Sequence, residues 1–167
     1  ASTGTVTFNG AVTLNSTLTI TGDTQFASTL DADNYNLTIT GDLDLDGAVT
    51  DLASISVSGA SDLGVDVTTT GTQTYTGAVT LSGSDRTLTT TNSDISFGST
   101  IDSSDTTYRD LSLSTGTGAI SVTEAIGATN KLDVMTVNNT GTLTLSGAVT
   151  VNTLTLTHTG GTTIGGT

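Results

Sequence analysis

The chain has 167 residues, with twenty glycines, six aromatic residues and no cysteine, proline or tryptophan. A core must therefore be built from Val, Leu, Ile and Ala, and a disulfide framework is excluded. Sixteen acidic residues against three basic ones give a net charge of -13, which repels phosphate backbones and anionic lipid headgroups, and no apolar run approaches the roughly 20 residues of a membrane span. We therefore expect neither nucleic acid binding nor membrane insertion.

Hydrophobicity alternates with a period of two from the start of the chain. Val6, Phe8, Val12 and Leu14 share one parity, while threonines fill much of the other. This alternation is typical of strands with one buried face, and no stretch sustains the 3.6-residue period of a helix. The sequence therefore predicts an all-β protein.

Pairs of hydrophobic residues four positions apart mark a repeat along the chain. The first members of the seven pairs are Phe8, Phe26, Leu45, Tyr75, Phe97, Val122 and Leu145, and their partners are Val12, Leu30, Val49, Val79, Ile101, Ile126 and Val149. The mean interval is about 23 residues, inside the range of solenoid repeats. The longest interval contains Leu63, Val65 and Val67, which we interpret as an extra strand at a corner.

A second strand follows in each unit. Its seven copies are LTIT (18–21), LTIT (37–40), ISVS (55–58), LTTT (88–91), LSLS (111–114), MTVN (135–138) and LTLT (154–157). One such unit cannot bury its apolar face alone, whereas parallel stacking about 4.8 Å apart aligns the faces into one core. The sequence therefore predicts a single parallel β-helix (β-solenoid) domain over residues 1–167, with about seven coils of roughly 23 residues.

Three long runs carry the most regular repeats: GTQTYTGAVTLSG (71–83), GTGAISVTEAIGATNKLDVMTVNNTGTLTLSGAVT (116–150) and TLTHTGGTTIGG (155–166). They resemble the repeats of large bacterial exoproteins of the filamentous haemagglutinin type. The resemblance covers most of the chain and implies a right-handed β-helix shaft, exported as an adhesin or surface fibre. The amino-terminal secretion domain of that family is not recognisable here, and no family site residue carries over.

The run DLDLDG at residues 42–47 matches the first half of a calcium-binding loop. Asp42, Asp44 and Asp46 have the required spacing, but the twelfth position of the loop, where a glutamate is needed, is Ala53. The alternating leucines make these aspartates an outward carboxylate row on a strand. We favour the strand interpretation and expect no cofactor; calcium at these three aspartates is the alternative.

Catalytic groups are scarce. Nucleophilic catalysis would need a base near a serine or threonine, and His158, the only histidine, has no acidic neighbour in sequence. Paired carboxylates can hydrolyse glycosides, but the cationic and aromatic residues that would cradle a sugar are few. We expect no catalytic residues and no enzyme activity, with a polysaccharide-acting β-helix enzyme as the third-ranked function.

The outward positions of the second strand form Thr-x-Thr pairs. The pairs are Thr19/Thr21, Thr38/Thr40, Thr89/Thr91 and Thr155/Thr157, and Ser56/Ser58, Ser112/Ser114 and Thr136/Asn138 interrupt them. Such rows are similar to the flat face of β-solenoid antifreeze proteins. We favour an ordinary solvated β-surface, with ice or another crystalline surface as the alternative ligand.

Repeat architecture without a catalytic constellation favours a non-catalytic structural or adhesive segment of a bacterial fibre, secreted or at the cell surface. The expected partners are copies of the chain or flanking β-helix repeats, stacked end to end, together with a host surface or polysaccharide. The run ASTGTVTF at residues 1–8 lacks the features of a signal peptide, and neither end shows a capping helix, prolines or charges. We therefore expect a segment of a longer chain or filament, whose ends meet more β-helix. Ice binding is the alternative function.

Overall fold

The computed structural model of the chain describes residues 4–165, and within them all regular structure is β-strand, so no helix there could cross a membrane. The strands are β1 (Val6–Phe8), β2 (Val12–Thr13), β3 (Leu18–Ile20), β4 (Thr24–Phe26), β5 (Leu30–Asp31), β6 (Asn36–Ile39), β7 (Leu43–Leu45), β8 (Val49–Thr50), β9 (Ser54–Val57), β10 (Ser61–Leu63), β11 (Val67–Thr69), β12 (Gln73–Tyr75), β13 (Val79–Leu81), β14 (Arg86–Thr90), β15 (Ile95–Phe97), β16 (Ile101–Ser103), β17 (Leu111–Gly116), β18 (Ile120–Val122), β19 (Leu132–Asn139), β20 (Leu143–Leu145), β21 (Val151–His158) and β22 (Thr162–Ile164). We predicted that both ends of the chain meet more β-helix, and the outermost residues to which this applies, 1–3 and 166–167, lie outside the described residues.

The strands pair in parallel with strands one turn away, so the chain winds as a β-solenoid with three faces. Face A is the sheet β1-β4-β7-β10-β13-β16, which single bridges at Ile126 and Val149 continue. Face B is β2-β5-β8, joined through a bridge between Leu52 and Thr69 to β11-β14-β17-β19-β21. Face C is the eight-stranded sheet β3-β6-β9-β12-β15-β18-β20-β22. The all-β parallel solenoid is thus as predicted.

The eight strands of face C show that the solenoid has eight turns, one more than predicted. The number of residues between equivalent inward positions of neighbouring turns varies along this face. It is smallest at places such as Ile39 to Val57 and largest from Phe97 to Val122. The prediction of seven coils of roughly 23 residues is corrected to eight turns, which span about 19 residues at both ends of the solenoid. The whole inward column is Ile20, Ile39, Val57, Tyr75, Phe97, Val122, Leu145 and Ile164.

The error has a structural cause: the predicted repeat slips from face A to face C between Leu45 and Tyr75. The residue that pairs with Leu45 in the next turn is Leu63, which in turn pairs with Leu81, while Tyr75 lies on face C. The single extra strand that we interpreted at Leu63, Val65 and Val67 is therefore parts of two regular strands, since Leu63 ends β10 on face A, Val65 lies between the strands and Val67 begins β11 on face B. Side-chain alternation is the same on all three faces, so parity alone does not reveal the slip.

The inward side chains form one continuous core. Phe8, Phe26 and Leu45 pair in neighbouring turns, as predicted, and the rings of Phe8 and Phe26 stack with centroids 4.9 Å apart. Tyr75 and Phe97 stack in the same way on face C, at 5.4 Å. Each inward residue thus packs on its equivalent in the turns before and after it, which is how a solenoid buries a face that no single turn could cover.

Corner glycines allow the turns to approach closely. A Cβ at Gly47 would lie 1.8 Å from the carbonyl oxygen of Ser28, and one at Gly77 would lie 2.2 Å from that of Gly59. Both glycines begin a Gly-Ala-Val-Thr run. Any side chain at these positions would push neighbouring turns apart.

Aspartates, most of them at corners, tie many of the turns to the next. Asp42 Oδ1 accepts a hydrogen bond from the Ala60 N–H at 2.7 Å, and Asp94 Oδ1 accepts one from the Ala119 N–H at 2.7 Å. The same contact joins Asp23 to Asp42, Asp66 to Thr87, Asp85 to Asp110, Asp102 to Thr129 and Asp110 to Val134. Each carboxylate accepts a backbone N–H of the following turn, and a charge-assisted hydrogen bond of this kind is stronger than one between neutral groups.

The packing of the core predicts that removing the Phe97 ring lowers the free energy of unfolding strongly, whereas removing an exposed aromatic ring from the side of the solenoid lowers it little. Phe97→Ala should lower the free energy of unfolding by about 3–5 kcal/mol, because it leaves a cavity beside the Tyr75 ring. Tyr35→Ala, at a ring that is 36% exposed, should lower it by less than about 1 kcal/mol. Urea denaturation followed by circular dichroism measures both, and equal losses would contradict the continuous core.

Candidate functional site

The outer side of face C carries a hydroxyl group in every turn. The central outward residues of its strands are Thr19, Thr38, Ser56, Thr74, Ser96, Ser121, Thr144 and Thr163, all paired in register. Because neighbouring strands lie about 4.8 Å apart, these side chains form a regular column across the whole sheet.

A second outward column follows two positions further along each strand. Its members are Thr21, Thr40, Ser58, Thr76, Gly98, Thr123, Ser146 and Gly165. From Thr40 onward, each residue of this column donates its backbone N–H to the carbonyl of the last inward residue of the preceding turn. The Thr40 N–H, for example, donates to the Ile20 carbonyl at 2.9 Å. Residues two apart on a strand are about 6.7 Å from each other, so the two columns make a regular array without a charged side chain. We call these two columns the hydroxyl face.

The structure divides the predicted threonine rows between two faces. Thr19, Thr21, Thr38 and Thr40 lie on the hydroxyl face, and Thr89, Thr91, Thr155 and Thr157 lie on or directly after strands of face B. The four predicted pairs are therefore not one array. The slip between faces that made the predicted turn count one too low also mixed these rows. The strands that we predicted as the second strand of each unit lie on face C up to Ser58 and on face B after it.

Sequence reasoning missed the hydroxyl face beyond its third turn. Thr74, Ser96, Ser121, Thr144 and Thr163 belong to strands that the repeat assigned to another face. A usable signal was present, because ISVS at positions 55–58 is followed one turn later by QTYT at positions 73–76, with hydroxyls at the same two places.

Face B is less uniform than the hydroxyl face. Outward of β19 and β21, Lys131 Nζ donates to Asn152 Oδ1 at 2.7 Å, and Asn152 Nδ2 donates to Asp133 Oδ1 at 2.7 Å. These charged and amide groups interrupt the hydroxyls, so face B does not offer a plain repeating surface.

The outer side of face A holds an acidic cleft of about 550 Å³. Asp23, Asp42, Asp44, Asp62 and Gln25 are among its lining residues. Asp44 and Asp62 pair in adjacent strands, so their carboxylates are neighbours on the surface. This concentration of negative charge disfavours anionic ligands in the cleft.

The three predicted calcium ligands bind protein groups in this region. Asp44 lies outward on β7, where Gln25 Nε2 donates to its Oδ2 at 2.9 Å and to Asp46 Oδ2 at 3.1 Å. Asp42, at the corner, accepts the Ala60 N–H described above. Among residues 4–165 no three His, Cys, Asp or Glu side chains are grouped closely enough to hold a metal ion.

Asp44 is electrostatically strained by this crowding. Burial raises its pKa above the usual aspartate range, the Asp46 and Asp62 carboxylates raise it further, and the hydrogen bond from Gln25 opposes the shift. Because burial and like charges both penalise the ionised form, the Asp44 carboxylate costs stability when it is charged.

Groups that could move a proton are isolated. His158 Nδ1 contacts Asn139 Oδ1, and no described group bonds its buried Nε2. The Asn139 amide oxygen can orient the imidazole ring, but it carries no charge to stabilise an imidazolium as a carboxylate would. The Tyr75 hydroxyl donates to Gln73 Oε1 at 3.2 Å, and burial raises the pKa of Tyr75, which keeps it protonated.

Comparison of the chain with models of known protein families, with characterised proteins and with solved structures finds no match. The likeness to filamentous haemagglutinin-type repeats therefore stays a prediction. Function has to be inferred from the three faces and the two ends of the solenoid.

The crowding at Asp44 predicts that its neutral variant is more stable. Asp44 has a higher pKa in the folded than in the unfolded chain, so protonation favours folding and its contribution is lost as pH rises through the folded pKa. Asp44→Asn should therefore raise the melting temperature at about pH 7, and the gain should disappear near about pH 3. Thermal unfolding at the two pH values measures this.

Asp105→Asn is the matched control and should act in the opposite direction. Hydrogen bonds from Arg109 and then from Thr107 hold the pKa of Asp105 well below its usual range. The Asp105 carboxylate stabilises the fold at pH values above its pKa in the unfolded chain, and this stabilisation is lost as the pH falls through its pKa in the folded chain. Asp105→Asn should therefore have a lower melting temperature than the unsubstituted chain at about pH 7. Changes of the same sign in both variants would contradict this account.

Proposed function

We propose that the chain is a non-catalytic structural and adhesive segment of a bacterial extracellular or cell-surface fibre. The observation that carries the proposal is the unbroken parallel pairing of face C through eight turns, which makes the described residues a single shaft. The proposal includes a right-handed coil, because crossovers between parallel strands of one sheet are right-handed in about 98% of cases.

The faces of the shaft supply the adhesive part of this proposal. The hydroxyl face offers donors and acceptors at regular spacing and without charge, which suits a polysaccharide or a glycan-covered host surface. The extracellular location rests on the resemblance of residues 71–83 and 116–150 to haemagglutinin-type repeats. Stacking partners at the ends are either flanking β-helix repeats or further copies of the chain.

A tandem fusion of two chains tests the shaft. In this fusion, the number of residues from Ile164 of the first copy to Ile20 of the second lies between the smallest and the largest number that separates equivalent residues of neighbouring turns on face C. The junction can therefore form a turn of ordinary length. We expect one continuous rod of roughly 80 Å rather than roughly 40 Å, with a higher melting temperature than the single chain because the junction covers core residues. Electron microscopy, X-ray scattering and thermal unfolding measure these quantities. Two separate bodies with an unchanged melting temperature would contradict the shaft.

Ice binding is the second candidate, and the hydroxyl face is the observation that favours it. A crystalline surface presents hydroxyl groups at fixed intervals, and only a rigid, flat array can match many of them at once. The hydroxyl face spans all eight turns, and each threonine adds a methyl group beside its hydroxyl.

Two threonine variants locate this activity. Thr74 and Thr89 are both outward and half-buried, but Thr74 lies on the hydroxyl face and Thr89 on face B. If the chain binds ice, Thr74→Tyr should abolish thermal hysteresis because the ring protrudes from the array, while Thr89→Tyr should retain it. Loss with Thr89→Tyr alone would move the site to face B, and no hysteresis in the unsubstituted chain would exclude ice as the ligand. The same pair, tested for attachment to polysaccharide-coated surfaces, assigns adhesion to a face.

A further inference from the structure

Both terminal turns of the solenoid are free of charged side chains. All sixteen acidic and all three basic residues lie between Asp23 and Asp133, so residues 4–22 and 146–165 contain none. Solenoids usually protect open ends with polar caps, and exposed strand edges are commonly blunted by charges. In a chain of net charge -13, neutral ends mean that two copies can meet end to end with little local repulsion.

Core side chains are exposed at these two ends. Val6, in the first turn, is 43% exposed, and Leu156 and Ile164, in the last turn, are 40% and 51% exposed. Leu145, which pairs with Ile164 one turn earlier, is fully buried. The exposure at the ends thus reflects the lack of a covering turn and not an outward orientation.

We propose that the first turn of one copy docks on the last turn of another, so that the chain assembles head to tail. This rests on the proposed shaft and names a second copy of the chain as its stacking partner. The contact is heterologous and does not close on itself, so it generates filaments and not dimers. Only this polarity continues a parallel ladder, because head-to-head contact would set the strands antiparallel.

The hydrogen bonds inside face C fix the register of the junction. Between the last two turns, Leu143 donates its N–H to the Gly161 carbonyl at 2.9 Å, and Gly165 donates its N–H to the Leu145 carbonyl at 2.7 Å. β22 and β3 are the two edge strands of this sheet.

Repeating that pattern across the junction assigns the new bonds. The Thr162 N–H of one copy donates to the Thr17 carbonyl of the next copy, and the Thr21 N–H of the next copy donates to the Ile164 carbonyl. Ile20 of the next copy then covers Ile164, and the hydroxyl face continues without interruption from one copy to the next.

Sedimentation velocity over a concentration series, with electron microscopy, tests the assembly. We expect the mass to rise with concentration and rods longer than one chain to form. Ile164→Asp should weaken association by about tenfold or more, since the junction would bury an unpaired carboxylate. Tyr35→Asp makes the same change of charge at an exposed hydrophobic residue on the side of the shaft and should associate like the unsubstituted chain. Circular dichroism checks folding, and Leu156→Asp replaces Ile164→Asp if that variant unfolds.

Mixing variants tests the polarity. Val6→Asp blocks the first turn as Ile164→Asp blocks the last, so each variant alone should associate at least about tenfold more weakly than the unsubstituted chain. An equimolar mixture should form a heterodimer, and nothing longer, at concentrations where neither variant assembles alone. Self-association of either blocked variant as strong as that of the unsubstituted chain, equal association of Ile164→Asp and Tyr35→Asp, or an unsubstituted chain that stays monomeric at all concentrations would overturn the proposal. A continuous tandem rod combined with monomeric single chains would leave the shaft standing and reject only self-assembly.

Discussion

Residue-by-residue pairing between successive turns is the constraint on which the rest of this structure depends. It places Ile20 on Ile39 and Tyr75 on Phe97, and a slip of one residue in any turn would point its buried side chains into solvent. Turn length can therefore vary only at corners. The long connection between β16 and β17 is an example of a corner that takes up extra residues. There the Arg109 side chain holds the connection against the solenoid by donating to Ser103 Oγ and to both carboxylate oxygens of Asp105.

Several of the acidic side chains take part in the stacking of the turns. Asp42 could be interpreted as a calcium ligand from its spacing, yet its carboxylate accepts a backbone N–H of the next turn, and Asp94 and Asp66 do the same at other corners. A carboxylate suits this role because it accepts without needing a donor in return. Where carboxylates crowd on a strand instead, as at Asp44, burial and then the neighbouring Asp46 and Asp62 carboxylates raise the pKa of Asp44.

Much of the fold could be predicted from alternation and the internal repeat, but the assignment of strands to faces could not. Period-two hydrophobicity indicated strands, the repeat indicated that they stack in parallel, and the predicted stacking of Phe8, Phe26 and Leu45 is confirmed. The turn count failed because short strands on three faces show the same alternation, so Leu63 and Tyr75 are locally equivalent. Their difference is set by long-range pairing, and the members of the hydroxyl face were mixed with face B for the same reason.

The near-equal length of the first turns has a consequence for how such a molecule can change over generations. TLTITGD at residues 17–23 and NLTITGD at residues 36–42 contain β3 and β6, at the same point of consecutive turns. Since these turns are almost equal in length and corners absorb the difference, duplicating or deleting the coding sequence for one turn would leave every remaining pair of strands in register. Recombination between neighbouring repeats would then lengthen or shorten the molecule in steps of about 4.8 Å, without a new fold having to be found.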